Sequence, residues 1–559
     1  MIEADKILQG IDREIRDILY PYVATGSISN TAAEQNAGTF LMELFSGVPY
    51  FKEHPELYGL RRIPGDPHGR SAFWAMRRGR GDRTVVLVHH SDVVSVEDYK
   101  HLKQWAFEPD RLREEMLPLA QIFPEDARKD LESGEFLFGR GCTDMKGGGS
   151  VQIALLLRYA AQEEFEGNMI LLAVPDEENL SAGMLTAVEL LRELKERCGL
   201  NYQMMINSEP HQRRSPDKGM LSLGSVGKVL VSVYVRGFLA HAGTVFKGLN
   251  PVSLLSRIVE KTELNMDFSD HVGTECAPPP TWLQMSDGKT GYDVSLPLSA
   301  FGLLSVLTYR SGPQEVLDRV RMLSEEAFAE LIGDMNRSCR RFAEITGEKE
   351  NALPWVPAVV TVRELYREAE AAFGREFTDD YAATLQKAAE QLRRGEITSA
   401  QAQLQLIERI YVYIDDLSPR VVLGLCSPYY PNVSSLDWNG EAEEMAETLR
   451  KFSSETFGQD YETEYFFTGI SDLSYSALKD GAGVRRVLED EMLLFGSGYR
   501  IPLEDIEAVS MPCINIGPWG KDLHRATERV WKEDLYRRTP ALLNHAVQTL
   551  LRREPEHDS

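Results

Sequence analysis

The chain has 559 residues, 43% of them hydrophobic and 26% charged, and 61 lysine plus arginine stand against 86 aspartate plus glutamate for a net charge of −25. That length allows two to four domains at roughly 100–200 residues each, and the composition excludes bulk disorder. The acidic balance argues against general nucleic-acid binding, which needs cationic surface to neutralise phosphates; it suits solubility, or carboxylates gathered around a cation.

The opening MIEADKILQGIDREIRD reads as a charged amphipathic helix without the basic and apolar blocks of a signal peptide. Six cysteines (142, 198, 276, 339, 426 and 513) form no CxxC and no tight cluster, which predicts reduced thiols in a cytoplasmic protein. No run of 18 apolar residues occurs, so no transmembrane helix is expected.

TVVLVHH (84–90) is β-branched and continuously apolar, as in a strand buried on both faces. RRGRGDR (77–83), between the strand-like FWAM and TVVLV, reads as a solvated hairpin turn rather than a phosphate site. A helix over 146–164, a strand over 167–175, a helix over 182–199 and a strand over 202–208 follow, predicting an α/β layer fold with a largely parallel sheet. Near Gly224 the character changes to a half-buried strand (230–237), an amphipathic helix (250–264), a strand (301–312) and a helix opened by Pro313, as in a small α+β domain. Residues 332–418 are charge-rich, mostly helical and look like an insertion. Buried-strand character resumes at 419–426, and α/β alternation continues to 510–518. These boundaries predict a catalytic domain made of 1–223 and 419–559, with a second domain, 224–418, lodged between.

Three of the buried strands end in polar residues that a core would not tolerate: His89, His90 and Asp92 after the first, Asp176, Glu177 and Glu178 after the second, and Glu209 after the third. Ligands of open α/β sheets bind beyond the carboxyl ends of strands, so these groups could converge. A glycine-rich segment, FGRGCTDMKGGGS, adds Asp144, and LHRATERV adds His524 and Glu528. Taken singly, each acid is as well explained as a helix cap. Together, such carboxylates repel unless protonated or bound to a cation, and carboxylates with imidazole suit Zn²⁺, Mn²⁺ or Co²⁺. In His90-Ser91-Asp92 the aspartate could hold the ring N–H and fix the tautomer.

The order of HSDVV (90–94), GRGCTDMKGG (139–148), DEEN (176–179), SEP (208–210), GFLAHAG (237–243), GLNP (248–251), GISDLSYS (469–476) and LHRATE (523–528) resembles the co-catalytic dizinc peptidases. That family includes aminoacylase, succinyl-diaminopimelate desuccinylase, acetylornithine deacetylase and the glutamate carboxypeptidases. The likeness covers nearly the whole chain outside 332–418, and PYFKEHPELYG (49–59), the long block ending at 148 and the total length resemble in particular its RocB-type arginine-utilisation members.

The resemblance implies a phosphorylase/hydrolase-like catalytic domain with a mixed, largely parallel sheet, plus an inserted α+β lid or dimerisation-type domain carrying a helical extension. It implies two divalent ions, zinc first and manganese or cobalt as alternatives. Asp144 would bridge them, His90 and Glu209 would complete one site, and Glu178 and His524 the other. Asp92 would stand behind His90, Glu177 would be the general base, His241 would donate to the oxyanion, often across a subunit boundary, and Arg310 would grip a substrate carboxylate. Asp144–Met145 would be a cis peptide. The implied substrate is a small peptide or N-acyl amino acid, without nucleic-acid or membrane partners.

Two departures stand out. Thr308 lies two residues before Arg310, where many members have aspartate, and the 332–418 insertion could cover the site or take the place of a partner's domain, which leaves homodimer and monomer both open. A non-catalytic metal-binding sensor or scaffold is the rival reading, but it has no need of a spare base at Glu177. A dimetal phosphoesterase would expect more cationic groups around the site than Arg310. His89 competes with His90 for the metal-facing position, and the HxD spacing favours His90. GRGCTD has Asp144 at the third glycine position of a dinucleotide loop, and Cys142 has no evident base partner.

Overall fold

The computed structural model describes residues 6–215, 217–347, 352–438 and 440–552; the first five residues of the expected opening helix lie outside these. The chain divides into two compact units, Met1–Ser225 with Val433–Lys479 and Pro502–Ser559, and Val226–Asn432 with Asp480–Ile501.

The first unit is built on an eight-stranded mixed sheet. Its spatial order is Tyr58–Arg62, Ser71–Arg78, Glu166–Val174, Arg80–His90, Asn201–Asn207, Cys513–Asn515, Lys218–Ser222 and Asp460–Glu464. Arg80–His90 runs parallel to both its neighbours, Glu166–Val174 and Asn201–Asn207. Its residues from Thr84 onward are buried, as the apolar run predicts. Because the three strands are parallel, their carboxyl ends lie together and deliver the segments after His90, Val174 and Asn207 to one rim.

The helix Lys146–Ala160 covers this core with Val151, Ile153, Ala154, Leu155 and Leu156 buried. Its first turn needs glycine. A Cβ at Gly148 would stand 2.1 Å from the Ser208 carbonyl oxygen, and one at Gly149 would stand 2.5 Å from the His89 ring. The KGGG run therefore lets a helix start directly against the strand ends. Helix Ala182–Cys198 ends at Gly199 in the left-handed region (φ 65°).

Residues 77–83 do not make a hairpin turn. The strands Ser71–Arg78 and Arg80–His90 are not neighbours, because Glu166–Val174 pairs with both and lies between them. Nor is the run fully solvated, since buried Arg77 donates to the carbonyls of Tyr159 and Gln162.

The second unit carries a five-stranded sheet in the order Thr281–Asp287, Ser299–Thr308, Gly227–Arg236, Arg420–Tyr430 and Val359–Thr361. The strand at 419–426, assigned from sequence to the catalytic domain, thus belongs here, pairing antiparallel with Gly227–Arg236. An apolar run reveals that a strand is buried but not which sheet buries it. The helix opened by Pro313 continues to Thr346, and Val362–Phe373, Arg375–Arg393 and Ser399–Tyr411 follow. These helices share a core with the sheet: Leu365, Phe377, Leu406 and Ile410 cluster with Leu230, Tyr234 and Val422. The apparent insertion is accordingly part of the second unit's own hydrophobic core. Among the described residues, no helix is long and apolar enough to cross a membrane.

Candidate metal centre

The three strand ends of the first unit bring their polar residues together as the sequence predicts. His90 Nε2 lies 2.9 Å from Asp144 Oδ1 and 3.5 Å from Glu209 Oε1. His524 Nε2 lies 3.1 Å from Asp144 Oδ2 and 3.0 Å from Glu178 Oε1. Asp144 therefore turns one oxygen to each histidine. Two donor sets able to hold an ion result, His90–Asp144–Glu209 and Asp144–Glu178–His524, each with its ligand atoms within 4.8 Å of one another. A third combination, His90–Glu177–Glu178, overlaps both. The Asp144–Met145 peptide is cis.

The charges fit a cation. Burial, set against the attraction of His90, pushes the Glu177 and Glu209 carboxyls well above their usual range, and neighbouring carboxylates push them further. Glu178 is raised by burial and by Asp144. The His524 imidazole, bonded to Asp144 and Glu178, is raised to about 10. Carboxylates crowded into low dielectric are stabilised by positive charge placed among them, and their oxygens with two imidazoles form the donor set that divalent zinc, manganese or cobalt accepts.

Several sequence expectations are sharpened. His89 is buried and bonded to Gln152 Oε1 (3.0 Å) and the Tyr22 hydroxyl (3.2 Å), and burial lowers its imidazole to about 3. It is a satisfied core histidine, and His90 is the one facing Asp144. The partner of His90 Nδ1 is the Asp92 carbonyl oxygen at 3.0 Å, whereas the Asp92 carboxylate is 3.6 Å away, too far for a hydrogen bond. That carboxylate instead accepts the backbone N–H groups of Glu177 (3.2 Å) and Glu178 (3.3 Å). Asp92 thus serves both strands: its carbonyl orients the imidazole and its side chain holds the turn bearing the two glutamates. Cys142 is buried, and burial pushes its thiol well above the usual range, contrary to what a nucleophile needs.

Glu528 supports the site, a task the sequence left unassigned. Fully buried, its Oε1 accepts from the backbone N–H groups of Gly141 (2.8 Å), Thr143 (3.2 Å) and Asp144 (3.3 Å), and its Oε2 from Arg140 (2.6 Å). The residue four places after His524 therefore fixes the loop that presents Asp144. Its position in LHRATE was the available signal. Glu528→Ala would leave a buried guanidinium and three amides without their acceptor, and a loss of about 3–5 kcal/mol of unfolding free energy is expected. The denaturant midpoint at unchanged m-value measures it.

His241 and Arg310 lie in the second unit. His241 is exposed, and its Nδ1 accepts from the Gly243 N–H at 3.0 Å, which in the neutral ring leaves the proton on Nε2. Arg310 is exposed, on a turn held by Asp270, whose Oδ2 accepts from the N–H groups of Tyr309 (3.0 Å), Arg310 (2.8 Å) and Ser311 (2.8 Å). Thr308, in the place of the family's aspartate, accepts from the Asn432 amide at 3.1 Å.

A mixed α/β sheet whose strand ends gather imidazoles and carboxylates around one shared aspartate defines a hydrolase of the metallopeptidase class. Residues 87–546 match the peptidase family M20/M25/M40, and the chain belongs to that family. It is 31% identical over 545 residues to the Bacillus subtilis protein YqjN, covering 96% of each chain, and 28% identical over 541 residues to Protein RocB of the same organism, covering 95% of this chain and 93% of RocB. Among solved structures it shares the fold of the di-peptidase Dug1p from Saccharomyces cerevisiae, with a TM-score of 0.53, 12% identity and 98% of each chain covered.

Proposed function

We propose that this metal-dependent hydrolase cleaves the amide bond of a small peptide or N-acyl amino acid carrying a free carboxylate, with arginine and ornithine derivatives among the candidates. The observation that carries the reading is Asp144, which turns Oδ1 toward His90 and Oδ2 toward His524. Asp144 would be the shared ligand of two divalent ions, zinc in the first instance; His90 and Glu209 would hold one, and Glu178 and His524 the other. Such a pair of ions would acidify water and polarise a carbonyl oxygen.

The chain's own residues do the rest. Glu177 takes a proton from the attacking water on a carboxylate oxygen and returns it to the departing amine nitrogen. Asp92 keeps Glu177 and Glu178 in register through their backbone N–H groups. By the family resemblance, His241 is assigned the donor's role toward the oxygen on which negative charge develops, and Arg310 the role of gripping a substrate carboxylate. The preference for arginine-related substrates rests on the likeness to arginine-utilisation proteins. A cytoplasmic setting is supported by the cysteine spacing, which forms no CxxC and no tight cluster.

Amine release from a panel of dipeptides and N-acyl amino acids, including arginine and ornithine derivatives, tests the reading on protein loaded with zinc, manganese or cobalt. The expected outcome is hydrolysis of one substrate class, abolished by a chelator and restored by added metal. Silence across the panel from protein carrying two ions per chain would favour a non-catalytic metal-binding role.

A further inference from the structure

The turn that carries Glu177 and Glu178 is also held by residues outside the family match, which begins at residue 87. Asp176, which starts the turn, has a left-handed backbone (φ 72°), a conformation that non-glycine residues rarely adopt without support. Its carbonyl accepts from the N–H groups of Asn179 (3.3 Å), Leu180 (3.1 Å) and Ser181 (2.7 Å), and its Oδ2 caps the next helix through the Ala182 N–H at 3.2 Å. These bonds close the turn on itself. They do not fix where it sits on the sheet.

Two other residues do. The Asp176 N–H donates to Glu34 Oε2 at 2.8 Å, and Arg70 Nη1 donates both to Asp176 Oδ1 (2.5 Å) and to Glu34 Oε1 (2.8 Å). Arg70 is itself fastened from behind. Its Nε and Nη2 donate to Asp66 Oδ1 at 2.9 and 2.6 Å, and its backbone N–H donates to Asp66 Oδ2 at 2.7 Å. The Arg70, Glu34, Asp66 and Asp176 side chains are all at most 5% exposed. One guanidinium fork thus ties the loop between the strands Tyr58–Arg62 and Ser71–Arg78 to the short helix Ala32–Glu34 and to the turn. Asp92 grips the next two backbone N–H groups of the same turn. Three consecutive backbone N–H groups of the turn are therefore held, that of Asp176 by Glu34 and those of Glu177 and Glu178 by Asp92, with Arg70 fastening the Glu34 and Asp176 carboxylates.

We propose that Glu34 and Arg70 are positioning residues, which set the direction of Glu178 as a metal donor and of Glu177 as the base. The role rests on the proposed function for Glu177, whereas for Glu178 it rests on the donor geometry alone. Lysine in place of Arg70 keeps the charge and loses the planar fork that reaches three carboxylates at once. Glutamine in place of Glu34 keeps the shape, but the Asp176 N–H and Arg70 Nη1 donate to different oxygens of Glu34, and an NH2 group in place of one of them faces a donor with another donor.

Full-length Glu34→Gln and Arg70→Lys proteins are compared with the unsubstituted chain by three readouts. Zinc or manganese titration of the metal-free protein by calorimetry is expected to show two binding events. One, assigned to Glu178 and His524, weakens by about 10–100-fold in the variants, the size of effect typical of residues that orient ligands, while the other stays within about twofold. Hydrogen exchange at the amides of residues 177–182 accelerates at least about tenfold, with the strand Arg80–His90 unchanged. With a substrate in hand, kcat falls about tenfold or more at a KM within about twofold. Unchanged metal binding and unchanged exchange at the turn would overturn the proposal, as would exchange accelerated uniformly across the sheet, which marks a merely structural role. Absence of amide hydrolysis in the unsubstituted chain would count against the proposed activity, and the metal and exchange readouts would still decide the positioning role.

Discussion

Glu177→Gln is expected to keep its metal and lose its turnover, with kcat reduced by about 10²–10⁴-fold, the range a positioned general base contributes. The substitution keeps the side chain's length and shape but removes its ability to hold a proton between water and the leaving amine. Nothing in the backbone should move, because the Glu177 N–H still donates to Asp92 Oδ1 at 3.2 Å. Metal analysis of the purified variant is the necessary companion measurement. Glu177 also belongs to the overlapping donor combination with His90 and Glu178. If Glu177 were a ligand, the variant would lose an ion together with its activity. Full metal content with lost turnover assigns it as the base; undiminished turnover removes that role.

Asp144→Ala is expected to strip both ions at once, because its two oxygens serve two different histidines at 2.9 and 3.1 Å. Each site should weaken by more than the 10–100-fold that outer-shell substitutions alone cost. His524→Ala, by contrast, should spare the set formed by His90 and Glu209. Thermal unfolding gives the readout. A ligand present at 100 times its dissociation constant stabilises the folded state by about 2.7 kcal/mol, so the unsubstituted protein's midpoint should rise with added zinc. The Asp144→Ala midpoint should not respond, and that of His524→Ala should respond in part. A full response in Asp144→Ala would mean that the ions bind elsewhere.

The sheet and the convergence of its strand ends were legible in the sequence because both follow from short-range patterns. Val85 to Val88 are continuously apolar, and polar residues follow at once at His89 and His90; a strand buried on both faces and a rim beyond it are the direct consequence. What was not legible is long-range pairing. The run at 419–426 has the same buried character whichever sheet receives it, and FWAM and TVVLV look like hairpin partners until Glu166–Val174 is seen between them. The metal-donor candidates could be read because each sits in a motif. Arg70 and Glu34 could not, since a lone arginine and a lone glutamate in connecting segments carry no spacing signal, and their shared target, Asp176, is more than 100 positions away from each. Asp92 was placed correctly beside His90, but the choice between its carbonyl and its carboxylate as the ring's partner depends on a backbone path that spacing does not encode.

Anomalous diffraction from crystals of the full chain loaded with zinc or manganese tests the central claim most directly. Two ions about 3.5–4 Å apart are predicted, as in co-catalytic two-metal sites, one on either side of Asp144, with His90 and Glu209 at the first and Glu178 and His524 at the second. A single ion, or ions bound away from Asp144 under saturating metal, would contradict the account.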